Sequence, residues 1–224
     1  MRIGFPKKVP APIDQSCILY WKFDESSGTM RDYSSGNNTG IATGSPTYST
    51  TGKFGTALSF DGIDDHIEST NTYSVDTATY GYTIEAWIYS VSDKGYSWNS
   101  IAGINISDAT FGLASLYGTI IGAWACGNFG TGPNVGNINN AWHHIAGVYT
   151  QSSIFIPVKM YFDGKYVGNS VTDRGSTCSF TGKFQIAKSY VGYNTWFNGV
   201  VDDVRMYNRS LSASEIYQHY LRGR

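Results

Sequence analysis

The sequence predicts an all-β fold, a two-sheet antiparallel sandwich with one short C-terminal helix. Glycine (26) and tyrosine (17) are plentiful and charged residues make up only 15% of the chain. This composition suits tight turns and half-buried pleated surfaces better than exposed helices. Many short β-forming runs are separated by turn residues, which is typical of a sandwich or barrel. A length of 224 residues is ordinary for one large β-sandwich, so we expect a single domain.

The N-terminal segment differs from the rest of the chain. It contains Pro6, Pro10 and Pro12, with two lysines between the first two. Proline removes backbone donors and favours extended backbone, so this composition predicts an arm or linker over residues 1–15. The folded domain is then predicted over residues 16–224.

Strands are predicted where β-forming residues run between turns. In chain order these runs are 17–23, 57–62, 64–68, 82–89, 142–149, 158–162, 165–168, 184–187 and 200–207. Side chains alternate along a strand, so Ile84, Ala86 and Ile88 are predicted on one face. Glu85 and Trp87 then fall on the opposite face.

Two local patterns predict a hairpin and a helix. Asp163-Gly164 lies between two of the runs, and this pair favours a hairpin turn whose central residues both have positive φ. Ser212 and Glu215 fit a capping box at the start of a short helix, and Gly223 follows as a stop.

Composition also bears on partners and on the compartment. The formal charge is −1 with no long run of either sign, so we expect no nucleic-acid partner. No stretch approaches the roughly 20 apolar residues of a spanning helix, so we expect no membrane insertion. The N-terminus has no apolar run typical of a signal peptide. An extracellular or surface location is then expected for a domain of a secreted parent or a component of a virion.

The three cysteines are too few for a disulfide framework, and no two form a CxxC pair. Cys17, Cys126 and Cys178 are either small apolar residues of the core or one disulfide with one leftover thiol.

A set of ordered motifs extends from residue 17 to about residue 220. It comprises 19–28 (LYWKFDESSG), 32–36 (DYSSG), 52–62 (GKFGTALSFDG), 82–88 (YTIEAWI), 142–146 (WHHIA), 161–164 (YFDG) and 197–212 (FNGVVDDVRMYNRSLS). Their order resembles that of laminin-G-like or pentraxin-like domains of the concanavalin A-like lectin and glucanase superfamily. The resemblance implies a jelly roll of two facing antiparallel sheets, with the first and last strands adjacent. It does not imply one activity, so function is argued from the site.

The sequence gives no sign of an enzyme. Glycosidases on the related glucanase fold carry paired carboxylates at close spacing, one as acid and one as nucleophile or base. Glu85 has no second acid in its strand, and Asp202 and Asp203 are adjacent, so a regular strand would point them to opposite faces. His143 and His144 are adjacent in the same way, and we expect structural roles for them rather than a shared metal ion.

Calcium is a possible structural cofactor, because loops rich in Asp, Asn and Gly supply the oxygens it prefers. Asp24 follows the first strand and Asp202 lies in the last, so adjacent first and last strands would bring the two together. Asp32 and the acids of residues 61–65 are further donors. The alternative is that these acids hold turns and caps.

Two aromatic segments are candidates for sugar recognition, since a pyranose has an apolar face and polar edges. They are residues 95–99 (GYSWN) and 190–196 (YVGYNTW). The predicted ligand-binding residues are Tyr96, Trp98, Asn99, Tyr193, Asn194 and Trp196. The alternative is that these aromatic side chains cap the ends of the sandwich.

These features predict two alternative functions. The first is a non-catalytic extracellular or surface module that binds a glycan or glycoprotein. The second is a structural subunit, such as a capsid decoration, tail or surface-filament protein, in which residues 1–15 bind neighbouring copies or a larger assembly.

Overall fold

The computed structural model describes residues 14–91, 98–104, 111–126, 128–151, 158–170, 179–188 and 195–223. Its strands are β1 (Cys17–Trp21), β2 (Gly40–Thr43), β3 (Thr47–Thr51), β4 (Thr56–Asp61), β5 (His66–Asp76), β6 (Tyr82–Ser90), β7 (Asn99–Ile104), β8 (Phe111–Leu116), β9 (Ile120–Ala125), β10 (Asn128–Gly130), β11 (Trp142–Tyr149), β12 (Val158–Phe162), β13 (Lys165–Ser170), β14 (Ser179–Ile186) and β15 (Asn198–Tyr207). One helix follows, α1 (Ala213–Arg222).

The strands form two antiparallel sheets, which confirms the predicted sandwich. The eight-stranded sheet has the order β13-β12-β11-β6-β15-β4-β3, and β1 also pairs with β15. The seven-stranded sheet has the order β10-β9-β8-β7-β14-β5-β2. No helix in the described part of the chain is long and apolar enough to cross a membrane.

Strand β15 lies in the middle of the eight-stranded sheet. It pairs with β6 along one side, and along the other with β4 over Asn198–Val201 and with β1 over Val204–Tyr207. The register shifts between these two segments, and Asp203 has a φ of 52°. The pairing of β1 with β15 confirms that the first and last strands are adjacent, as the sequence resemblance implied.

The core lies between the two sheets. Ile84, Ala86 and Ile88 of β6 point into it, as predicted, and Phe184 and Ile186 of β14 enter it from the other sheet. Each isoleucine or phenylalanine side chain among them contributes on the order of 1.5–3 kcal/mol when it leaves water.

Helix α1 covers part of the outer face of the eight-stranded sheet. The Ser212 hydroxyl accepts from the backbone N–H of Glu215, and the Glu215 carboxylate accepts from that of Ser212, which confirms the capping box. Ile216 is fully buried, and Tyr220 stacks on Trp87 with 5.7 Å between ring centroids. The helix ends at Arg222 and is capped by Gly223, where an added Cβ would clash with the Trp87 indole.

The predicted hairpin joins β12 and β13. Asp163 has a φ of 48° and Gly164 a φ of 74°, as the turn requires.

Several strands were missed in the sequence analysis, namely β2, β3 and β7 to β10. The longer ones, β7, β8 and β9, are buried on nearly every residue and consist largely of Gly, Ala, Ser and aliphatic residues. A strand that is covered on both faces has no polar–apolar alternation to reveal it.

The cysteines follow the second predicted alternative, one disulfide with one leftover thiol. Cys17 is a free, buried thiol and Cys126 is disulfide-bonded. Cys178 lies outside the described residues. The predicted arm also lies almost wholly outside them, so the division at residue 15 stays a prediction. Asp14, its first described residue, contacts Arg209 at 2.6 Å.

Candidate functional site

The outer face of the seven-stranded sheet carries polar side chains where β5 and β14 pair. Ile67 opposes Ile186 and both enter the core, whereas the neighbouring pair, Glu68 and Gln185, points to the outer face. Lys183 precedes Gln185 by two residues and therefore lies on the same face. The alternation of the two strands thus gathers charged groups on the surface opposite the core.

Five side chains form one group here, which we call the β5–β14 cluster: His66, Glu68, Lys183, Lys188 and Trp196. The Glu68 carboxylate contacts the Lys183 ammonium at 3.3 Å and is also ion-paired with Lys188. His66 Nε2 lies 3.9 Å from Glu68 Oε2, and the His66 ring centroid lies 5.6 Å from that of Trp196. A half-buried indole therefore lies beside a group of hydrogen-bonding side chains.

The protonation states in the cluster follow from these contacts. Burial opposes ionisation of Glu68, but hydrogen bonds from Lys188 and Lys183 outweigh it and hold its pKa below the usual range. Burial lowers the pKa of His66, and the Lys188 charge acts in the same direction. His66 Nδ1 lies 2.9 Å from the carbonyl oxygen of Asp64, which can only accept, so Nδ1 carries the proton. At neutral pH, Nε2 is then an acceptor.

Trp196 is positioned by a short extension of the sheet beyond β14. The N–H of Ser100 donates to the Thr195 carbonyl oxygen at 2.9 Å, and that of Ala187 donates to the Ile101 carbonyl oxygen at 2.9 Å. Trp196 pairs with Ser100 in an isolated parallel bridge.

Trp98, the second predicted tryptophan, directly precedes β7. It packs against Ala114 and Trp124, which lie on β8 and β9 outside the main core. Since Asn99 follows Trp98 and Trp196 pairs with Ser100, the two tryptophans lie at the same end of the sheet. Asn99 itself is 7% exposed, which leaves little of its surface for a ligand.

The other three predicted ligand-binding residues, Tyr96, Tyr193 and Asn194, lie outside the described residues. His66, Glu68, Lys183 and Lys188 were not predicted from the sequence. Their signal was the alternation of charged and apolar residues in 66–68 and 183–188. The pairing of Glu68 with Gln185 that brings the two segments together depends on the tertiary fold.

A second candidate region is a cavity of about 280 Å³ where β15 changes partner from β4 to β1. It is lined by Tyr20, Lys22, Asp24, Phe54, Asp202, Asp203, Arg205 and Arg222. Asp202 and Asp203 both line it, although a regular strand would point them to opposite faces. That expectation was wrong because the register shift and the positive φ of Asp203 interrupt the strand here.

Asp24 and Asp202 hold the loop between β3 and β4. Asp24 Oδ1 accepts from the N–H of Thr56 at 3.1 Å and Asp202 Oδ2 from that of Phe54 at 2.8 Å. Asp202 Oδ1 is buried without a hydrogen-bond partner. Burial raises the pKa of Asp202 to about 7, and the charge of Asp203 adds to this.

The three predicted calcium ligands do not meet at one point. Asp24 and Asp202 line the cavity, but Asp32 is not among its lining residues. The Asp32 carboxylate instead accepts hydrogen bonds from the backbone N–H groups of Tyr20, Ser34 and Asn38, so Asp32 holds a turn.

A different set of acids lies close enough to share a cation. Asp61, Asp64 and Asp65 each place a carboxylate oxygen within 4.8 Å of the others, at the edge of the sandwich before β5. Asp65 already accepts from the N–H groups of Ser45 and Asp61, and the other two acids are exposed.

A third polar group is closed off beneath α1. Glu85 is 1% exposed, and its carboxylate lies 2.8 Å from His219 Nδ1, 3.3 Å from Arg205 and 3.6 Å from His144. Burial opposes ionisation of Glu85, but His144 and His219 outweigh it and hold its pKa well below the usual range. Arg205 also pairs with Asp203 at 2.6 Å.

The two adjacent histidines of β11 have separate, structural contacts. His143 stacks on Phe162, with 4.5 Å between centroids, and its Nδ1 lies 3.0 Å from Asp163. His144 lies against Trp87, with 5.3 Å between centroids. The structural roles predicted for the pair are confirmed by these contacts.

The sequence matches a known family. Residues 61–217, more than half of the chain, fit the model of Laminin_G_3, described as concanavalin A-like lectin/glucanases superfamily. No curated protein sequence matches the chain.

Solved structures share the fold at low sequence identity. The binding domain of Paraclostridial Mosquitocidal Protein 1 is similar with a TM-score of 0.68 and 13% identity, over 91% of this chain and 51% of that one. A second similar structure is domain 4 of AbnA, a GH43 extracellular arabinanase from Geobacillus stearothermophilus, in complex with arabinotriose. Its TM-score is 0.62 at 17% identity, over 90% of this chain and 97% of that one. Trypanosoma rangeli sialidase in complex with sialic acid is similar with a TM-score of 0.65 and 15% identity, over 92% of this chain and 33% of that one. The chain therefore spans about half of the toxin domain and a third of the sialidase.

Proposed function

Because this chain belongs to the Laminin_G_3 family of the concanavalin A-like lectin/glucanase superfamily, we propose that it is a non-catalytic binding module that recognises carbohydrate, free or on a glycoprotein. We place its action outside the cell or at a surface. The similarity to a domain of an extracellular arabinanase in complex with arabinotriose supports both parts of the proposal.

One observation carries the proposal: the half-buried Trp196 indole lies beside the polar side chains of the β5–β14 cluster on an outer sheet face. A sugar ring has an apolar face that packs on an indole and hydroxyl groups that need donors and acceptors at its edge. His66 Nε2 supplies an acceptor, and the lysine ammonium groups supply donors.

The test is a glycan array followed by calorimetric titration of the glycans that bind. Trp196→Ala should lower their affinity at least tenfold, because the stacking surface is lost. Tyr80→Ala is the matched control, since Tyr80 is 54% exposed and should leave affinity unchanged.

An unchanged affinity in Trp196→Ala would exclude this face as the site. An array without any bound glycan would contradict the proposed function, and concentration-dependent self-assembly of the same protein would then favour the structural-subunit alternative. That alternative rests on residues 1–15 and stays a prediction.

A further inference from the structure

The two lysines of the β5–β14 cluster have more hydrogen-bond donors than Glu68 can use. Each ammonium has three N–H donors, and both face one carboxylate. Lys183 contacts Glu68 Oε1 and Lys188 contacts Glu68 Oε2, while their side chains remain 44% and 24% exposed. Among the residues that the structure describes, donors are therefore left for a ligand.

The charge of the cluster is positive although the whole chain has a formal charge of −1. Two ammonium groups face one carboxylate, so the ion pairs leave one positive charge. Gln185, opposite Glu68, adds no charge and is 4% exposed. A partly desolvated positive charge attracts an anion more strongly than one fully in water.

The surrounding acids determine where an anionic group can lie. Asp61 and Asp64 are exposed at the edge before β5, on the side of His66. They repel a carboxylate that approaches from that edge. The lysines lie on β14 and directly after it, so an anionic group is stabilised there rather than next to the Asp61–Asp65 loop.

Trp196 provides the other half of the recognition. Its ring lies beside His66, whose Nε2 is an acceptor for a hydroxyl group. An indole beside a hydroxyl acceptor, with two ammonium groups around the neighbouring Glu68 carboxylate, fits a ring that carries both hydroxyls and one negative charge.

We propose that this face selects a carboxylated sugar, a uronic or sialic acid residue, with its ring on Trp196 and its carboxylate on Lys183 and Lys188. The inference rests on the proposed function, because it names the ligand class of the same site. Hydrogen bonds between ions are shorter and stronger than neutral ones, so the carboxylate would decide the preference.

The experiment uses pairs of glycans that differ at the carboxyl group, which is ionised in one member and uncharged in the other. One pair is an oligogalacturonide and its methyl ester, and the other is a sialylated glycan and its carboxyl-reduced form. The acidic member of at least one pair should bind about tenfold more tightly, the effect of one charge-assisted hydrogen bond. The difference should shrink as salt is raised, because the lysines are partly exposed.

Variants assign the preference to the lysines. Lys183→Gln/Lys188→Gln should abolish the difference in affinity between the acidic and the neutral member of the pair. Lys159→Gln is the matched control, since Lys159 is an exposed lysine of the eight-stranded sheet and should leave the preference intact.

The two proposals fail differently. Trp196-dependent binding that is equal or stronger for the neutral members would overturn the acidic preference while the carbohydrate module stands. A preference that survives in the lysine double variant would overturn the assignment to these residues. No binding of any glycan would contradict both.

Discussion

The outer faces of the two sheets carry the same residue types but differ in how they are covered. On the seven-stranded sheet Glu68 is 23% exposed and interacts with two lysines and His66. On the eight-stranded sheet Glu85 is 1% exposed and interacts with Arg205, His144 and His219 beneath α1. The comparison shows that residue type alone does not determine whether such a group stays open to solvent or is closed off.

The difference has an energetic consequence. A buried ion that loses its partner keeps the cost of having left water, whereas an exposed pair contributes little because water replaces the partner. The covered network is therefore suited to fix α1 on its sheet. The open cluster can exchange its contacts for those of a ligand.

The largest expected effect comes from breaking the covered network. Glu85→Ala should lower the free energy of unfolding by about 3–5 kcal/mol, because Arg205 would lose a buried counter-ion and His144 and His219 would lose a buried polar partner. Denaturant unfolding measures this. Glu68→Ala, the matched change on the open face, should cost at most about 1 kcal/mol. Similar losses for both variants would contradict the distinction between the two faces.

A second prediction concerns the pH dependence contributed by Asp202. Its pKa is about 7 in the folded protein against 3.8 for the free side chain, so its protonated form favours folding. This contribution to stability is complete below pH 3.8 and is lost as pH rises through 7.

Asp202→Asn keeps an acceptor for the Phe54 N–H and removes the ionisation. The stability of the variant relative to the unchanged protein should therefore rise between pH 4 and 8, by an amount on the order of 1–4 kcal/mol. Unfolding free energies of both proteins across that range test it. A constant difference between the two would show that Asp202 is ionised throughout.

The smallest effect is that of calcium, which stays a proposal. At about 10 mM, an ion bound with the weak affinity of many extracellular modules should stabilise the fold by about 1–3 kcal/mol and raise the melting midpoint by several degrees. Asp64→Asn should abolish the shift if the acids of residues 61–65 bind the ion. A shift that persists in this variant but disappears in Asp24→Asn would instead assign the ion to the cavity beside β15.

The features predicted correctly from the sequence are those decided by residues that lie close together along the chain. The Asp163-Gly164 turn and the Ser212–Glu215 capping box were correct because each is decided by backbone conformation within a few positions. Strands β7 to β9 were missed because burial on both faces removes the alternation that marks a strand.

The candidate site, too, could be predicted only where local sequence decides the structure. Trp98 and Trp196 were selected because large aromatic residues interrupt the strand pattern. The β5–β14 cluster depends on a strand pairing between residues more than a hundred positions apart, which a local pattern does not reveal. Asp202 and Asp203 were misplaced because the irregularity of β15 arises from its change of partner.

The position of β15 has a consequence for protein synthesis. The last strand of the chain joins β6 to both β4 and β1, so the eight-stranded sheet is in three separate parts until residues 198–207 have left the ribosome. Until then the nascent chain exposes unpaired strand edges, which favour aggregation. We expect the domain to fold only after its synthesis is nearly complete, and early termination to yield insoluble fragments rather than smaller folded ones.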